Sequence, residues 1–199
     1  MALLFVAQGM STDIWEEKRH GTLLRAIAAP RSVGLFLTGK LLAGAVLVAA
    51  TALAGLLIAV LFYDVDLGRL LPALAWCTFA GTALLAFFIL LQLFASSQRG
   101  GAILATAIVF PLIMIGGSFF PFESMPEWMA AAGRWTPNGL ALIRLKEILA
   151  GEPPLGDGRA MHRLINFGYG GLSASVHVAA LAAASLLLGW LGARTFRYQ

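Results

Sequence analysis

Apolar residues in this chain come in long unbroken runs, with little of the alternation that marks a half-buried strand. No Asp, Glu, Lys or Arg falls between Lys40 and Asp64, from Leu70 to Ser97, from Gly100 to Phe122, or from Leu164 to Ala193. A hydrocarbon core of roughly 30 Å takes about 20 apolar residues in helix, and each run is long enough. In lipid the backbone must satisfy its own hydrogen bonds, as helices and closed barrels do. The runs lack the polar alternation of barrel strands, so they predict helices. The expected fold class is all-α: one polytopic transmembrane helical bundle over residues 1–199, with full spans at Leu41–Tyr63, Leu70–Ala95, Ala102–Phe119 and Gly171–Ala193.

Met1–Met10 is apolar but covers only about 15 Å as helix, so it reads as a partial span whose beginning lies before residue 1, or as an interfacial stub. It has neither a basic leader nor a small-residue cleavage site, which argues against a signal peptide. Ser11–Thr38 is the most polar connection. Asp13 followed by Glu16 predicts a helix start there, and Pro30 marks the expected end. The third span is interrupted: Pro111, Gly116 and Gly117 lie in or near it, and Pro121 and Pro126 follow. Met125–Gly151 reads as two short amphipathic helices separated by Pro137. This broken region, Gly116–Gly151, is too short to bury a core of its own and is expected to dip back toward the membrane as re-entrant helices. Trp128 and Trp135 suit an interfacial aromatic belt.

Composition agrees with the runs. The chain is 59% hydrophobic and 12% charged, against roughly 25% charged in a soluble domain. The net charge of +4 is explained by cytoplasmic loops and not by nucleic acid. Lys18, Arg19, Arg25, Arg31, Lys40, Arg99, Arg194 and Arg197 all fall on one side of the predicted topology, which the positive-inside rule makes cytoplasmic. The single cysteine, Cys77, lies inside a span and can form no internal disulfide.

Few motifs carry chemistry. The run GLFLTGKL, Gly34–Leu41, imitates a phosphate-binding loop, but Leu41 stands where that loop needs Ser or Thr for magnesium, and no strand precedes it. Lys40 is better read as snorkelling to the membrane boundary. His20, His162 and His177 have no metal-ligand spacing with carboxylates or Cys77, so no metal site is expected. Ser173 and His177 lack the turn that presents a nucleophilic serine, so the chain is not expected to be an enzyme. His177, mid-span, is either a transport residue or a neutral histidine bonded to a neighbouring helix. Gly171, Ser175, Ala179 and Ala183 form a small-residue stripe suited to close packing. Thr78, Thr82 and Gln92 on the second span either line a substrate path or pair across helices.

The run E-E-K-R-H-G-T-L-L-R-A-I-A-A-P-R, Glu16–Arg31, followed by Gly39–Lys40, resembles the first cytoplasmic loop of type-2 ABC permeases. The stretch GGSFFPFESMPEWMAAAGRWTPNGLALIRLKEILAG, Gly116–Gly151, is similar to that family's glycine-proline break, P-x-W helix and W-x-P step before the last span. With the spacing of the spans, the resemblance covers nearly the whole chain, the N-terminal span apart. It implies a permease subunit of an ATP-driven exporter, working as a homodimer or heterodimer with two cytosolic ATPase subunits that bind ATP and magnesium; no cofactor is expected on this chain. It also implies that Glu16, Glu17, Lys18, Arg19, Gly21 and Thr22 belong to a coupling helix seated in the ATPase, within a coupling loop at residues 12–40. The plainer reading is a solvated loop whose charges set topology. A multi-pass protein of a bacterial plasma (inner) membrane exporting a hydrophobic cargo such as a drug or lipid is expected. The rivals are a secondary transporter, which would need inverted repeats and membrane-centre charges, and a structural membrane protein without an ATPase.

Overall fold

The computed structural model describes residues 2–21, 25, 33–63, 65–95, 97–151 and 183. The expected span Gly171–Ala193, Ala183 apart, with His177, the basic tail from Arg194, Thr22, and the side chain of Lys18 lie outside the described residues. Within them every regular element is helical: α1 Ala2–Arg19, α2 Val33–Tyr63, α3 Leu70–Phe94, α4 Gln98–Ile115, α5 Glu127–Arg134 and α6 Pro137–Ala150, with 3-10 turns at Leu67–Arg69 and Phe122–Ser124. Three helices among the described residues are long and apolar enough to cross a membrane, at Thr38–Tyr63, Leu67–Gln92 and Gln98–Ile115. They correspond to the first three of the four spans read from the charge-free runs.

The helix boundaries follow from local chemistry. Ser97 caps α4 by accepting from the Gly100 amide at 3.1 Å. Thr136 caps α6 by accepting from the Gly139 amide at 3.0 Å, with Pro137 in the first turn, where its missing N–H costs nothing. Asp66 does the same for the Leu67–Arg69 turn through the Gly68 amide, at 2.9 Å. α6 ends at Gly151 in the left-handed region, the usual glycine stop.

Two expectations need correction and one is extended. Asp13 does not start a helix: α1 runs unbroken from Ala2 to Arg19. Ser11 and Thr12 turn their hydroxyls onto the carbonyls of Gln8 and Gly9, both at 2.6 Å. They stay inside the helix by this back-bonding, and Asp13 is left exposed on its surface. Ala2–Met10 is therefore the first half of an 18-residue helix and not a separate stub. The span expected at Leu41–Tyr63 is the membrane-length part of a longer helix, Thr38–Tyr63 within α2, which is already helical at Val33. Nothing between Pro30 and Lys40 breaks a helix except isolated glycines, and a helical Gly34–Leu41 has no loop to hold phosphate. The third span ends at Ile115 and not at Phe119. Helix continues past Pro111 and stops where Gly116 and Gly117 follow each other, Gly117 having φ +75°.

α3 is the axis of the bundle. Over half of its membrane window is buried, against 17% for α2, and α1, α2, α4 and α6 all pack on it. Leu84, Leu85, Phe88 and Ile89 of α3 meet Leu4, Ala7, Ile14 and Trp15 of α1 and Ala105, Val109 and Ile113 of α4 in one core. α2 approaches α3 through small residues: a side chain at Gly44 would collide with Leu85 and one at Gly81 with Val48. Close backbone approach of this kind drives association where lipid removes the hydrophobic effect between helices. α2 leaves Leu42, Val46, Ile58, Leu61 and Phe62 exposed, a face made for hydrocarbon.

The broken region folds back as expected, and α6 packs along α3. The Trp76 indole donates to the Ala141 carbonyl at 2.9 Å, and Leu140 and Ala141 pack on Ala80 and Ala83.

Candidate functional site

The bundle has two differently built ends. At one, the C-terminus of α1, the beginning of the apolar stretch of α2 and the α3–α4 turn come together. α1 closes with the His20 amide on the Glu16 carbonyl at 2.9 Å, and Gly21 follows at φ +69°. That backbone conformation costs most side chains about 1–2 kcal/mol and is free for glycine. Glu16, Arg19 and His20 are exposed there. Glu17 reaches sideways, and its carboxylate accepts from Lys40 Nζ of α2 at 2.8 Å. Of the residues assigned to coupling, the structure thus brings Glu16, Glu17, Arg19 and Gly21 to one end.

Just inside this rim lies a buried polar cluster. The Trp15 indole N–H of α1 donates to Gln92 Oε1 of α3 at 2.7 Å. Gln92 Nε2 donates to the Gly101 carbonyl in the first turn of α4 at 3.3 Å. Gln92 is only 1% exposed. A Cβ at Gly101 would sit 2.1 Å from Gln92 Oε1 and 3.1 Å from Trp15 Nε1, so a side chain there would push the Gln92 amide off the Trp15 indole. Thr78 and Thr82, considered alongside Gln92 as path-lining residues, each bond a carbonyl of their own helix, Leu74 at 2.8 Å and Thr78 at 2.7 Å.

At the other end, α5 and α6 cap the bundle. Asn138, buried in the first turn of α6, donates from Nδ2 toward the Leu112 and Gly116 carbonyls and to Ser118 Oγ, at 3.3, 3.2 and 2.8 Å. Those carbonyls close α4 and lie in the turn beyond it, so Asn138 pins the break in the third span to the returning helix. Further along α6, Arg144 and Glu147 form a 2.7 Å ion pair whose side chains are 7% and 10% exposed. A cavity of about 90 Å³ lies between α1, α3 and α6, lined by Leu4, Trp76, Cys77, Leu84, Asn138 and Leu142 among others. It is larger than a water molecule and smaller than a drug. Trp128 and Trp135 stand exposed beside it on this end.

Sequence reasoning singled out Gln92 but neither of its partners, and it passed over Asn138, Arg144 and Glu147 as site residues. The i,i+3 spacing of Arg144 and Glu147 was a usable signal, since a buried charge is kept only when paired. Asn138 and Trp15 gave none, because their partners are 20 or more residues away. Among the described residues no group of histidine, cysteine and carboxylate side chains is arranged to hold a metal ion.

Comparison with known proteins bears on the whole chain. No curated protein matches it. A family model described as ABC-2 family transporter protein matches residues 1–194, nearly the full 199 and including every helix described above. On that match, and on the apolar helical bundle, the chain belongs to the ABC-2 transporter family and is a membrane permease of ABC-type transport.

Proposed function

We propose that this chain is the membrane subunit of an ATP-driven exporter, and that a separate cytosolic ATPase docks on the connection between α1 and α2. Permeases of this family typically work with an ATPase subunit. The observation that carries the assignment of the docking site is the end of α1. Exposed Glu16 and the Glu17–Lys40 pair sit at the rim of the bundle, on a helix whose opposite face is held in the main core. A charged tip on a rigidly held helix can accept a push and pass it to the spans. Glu16, Glu17, Lys18, Arg19, Gly21 and Thr22 form the contact in this reading, and this end faces the cytoplasm of a bacterial cell. ATP and magnesium are held by the partner. Two permease subunits enclose the path in this reading. The exposed apolar face of α2 suits a hydrophobic cargo drawn from lipid.

The test is purification of the full chain in mild detergent from its native membrane, followed by ATPase assay and identification of bound proteins. An ABC-type ATPase should accompany the wild type and be lost or weakened in Glu16→Lys, whose side chain is exposed, so that insertion is kept. Like-charge contacts in an interface cost several kcal/mol, whereas the same change on a solvated loop costs almost nothing. Retention of the ATPase by Glu16→Lys at wild-type affinity would remove Glu16 from the interface.

A further inference from the structure

We infer that Trp15, Gln92 and Gly101 form the joint by which displacement of the α1 tip is carried to the α3–α4 turn, with Trp15 and Gln92 as positioning residues. The inference rests on the reading above that the α1–α2 connection receives the motion of an ATPase. Among the described residues, two polar links at the end of α1 differ in burial. The first, Glu17 to Lys40, is part-buried, its side chains 29% and 12% exposed, and it joins α1 to α2 alone. The second is buried. Trp15 has one N–H, and it is spent on Gln92 Oε1 at 2.7 Å. Gln92 turns its amide nitrogen to the Gly101 carbonyl, while its own carbonyl accepts from the Ala95 amide that ends α3.

One residue therefore ties the end of α1 to the end of α3 and the start of α4. Gln92 and Trp15 are both buried, and a polar group left unpaired in an apolar setting is expensive. The link consequently holds its length when α1 is moved, and the α3–α4 turn must follow. The absence of a side chain at Gly101 leaves the Gln92 amide on the Trp15 indole. A direct α1–α4 hydrogen bond, Gln8 to Thr106 at 3.3 Å, is exposed and serves as the contrast.

The experiment places spin labels on the exposed positions 13 and 99 of the full chain, as Asp13→Cys and Arg99→Cys in a Cys77→Ala background, in lipid nanodiscs. Dipolar EPR reads their separation in wild type, Trp15→Phe, the double variant Trp15→Phe/Gln92→Leu and Gln8→Leu. Trp15→Phe strands Gln92 Oε1 and should lower the melting temperature. The double variant removes both polar groups together, which can be nearly neutral, and should recover it. The wild type and Gln8→Leu should give one narrow distance distribution, and the double variant a broad one despite its recovered stability. With the co-purified ATPase, ATP and vanadate should leave the wild-type separation unchanged, because both labels move as one, and should shift it in the double variant. A distribution as narrow in the double variant as in wild type, unmoved by ATP and vanadate, would overturn the inference and leave the cluster as packing alone. If no ATPase accompanies the wild type, the functional reading fails, while the widths measured on the chain alone still decide the joint.

Discussion

Replacing Glu147 by leucine should destabilise this protein far more than replacing Arg144 and Glu147 together. The two side chains meet at 2.7 Å and are 7% and 10% exposed, so neither is screened by solvent. Removing one partner strands the other charge in an apolar setting, at a cost of about 3–5 kcal/mol for a buried pair. Replacing both by residues of similar volume, as in Arg144→Met/Glu147→Leu, removes the desolvation cost with the attraction and is often neutral or stabilising. At roughly 2–4 °C per kcal/mol for a chain of 150–250 residues, either single variant should lower the unfolding midpoint by on the order of 10 °C. The double variant should return to near the wild-type value. Cys77 supplies the assay: it is the sole cysteine, it is 5% exposed in α3, and a thiol-reactive fluorophore reaches it only on unfolding. A thermal ramp in detergent with such a dye reads all four proteins alike. Equal midpoints for wild type and both single variants would refute the argument, because the charges would then have found water or other partners. A double variant as unstable as the singles would show that the side chains matter for shape and not as a pair.

Three further outcomes follow from the same geometry. Asn138→Leu should lower the thiol-dye midpoint, because the Gly116 carbonyl loses the Asn138 amide, while the Leu112 carbonyl keeps the Gly116 N–H, and a stranded buried polar group costs about 1–3 kcal/mol; an unchanged midpoint would mean that α4 needs no pin. Gly101→Val should destabilise the fold and separate α1 from α4, since even a Cβ would lie 2.1 Å from Gln92 Oε1; amide hydrogen exchange in residues 97–104 should rise, and wild-type protection would contradict it. His20→Cys and Ser124→Cys, each in a Cys77→Ala background, should label from opposite sides of sealed vesicles with an impermeant maleimide. Labelling from the same side would overturn the assignment of these positions to opposite ends of the bundle.

Sequence alone determined where the described spans are and that they are helices. Charge is too costly to bury singly at membrane depth, so a run such as Leu70–Ser97 with none of it marks a span without reference to any other part of the chain. The returning helices around Pro137 were legible for a similar reason, since proline and glycine act on their own backbone neighbours. What failed were boundaries where local signals were outvoted. Asp13 carries a capping side chain, yet α1 passes through it, because the helix around it buries Leu4, Ala7, Ile14 and Trp15 in the main core, and packing of that kind outweighs a cap worth about 1 kcal/mol. Gln92 was conspicuous in the sequence as an amide in an apolar helix, but its partners lie 77 residues before it and nine after. Composition can say that a buried amide must be paired. Only the crossing of α1, α3 and α4 decided that Trp15 would be the donor and Gly101 the acceptor, and so which end of the bundle is stiffly joined.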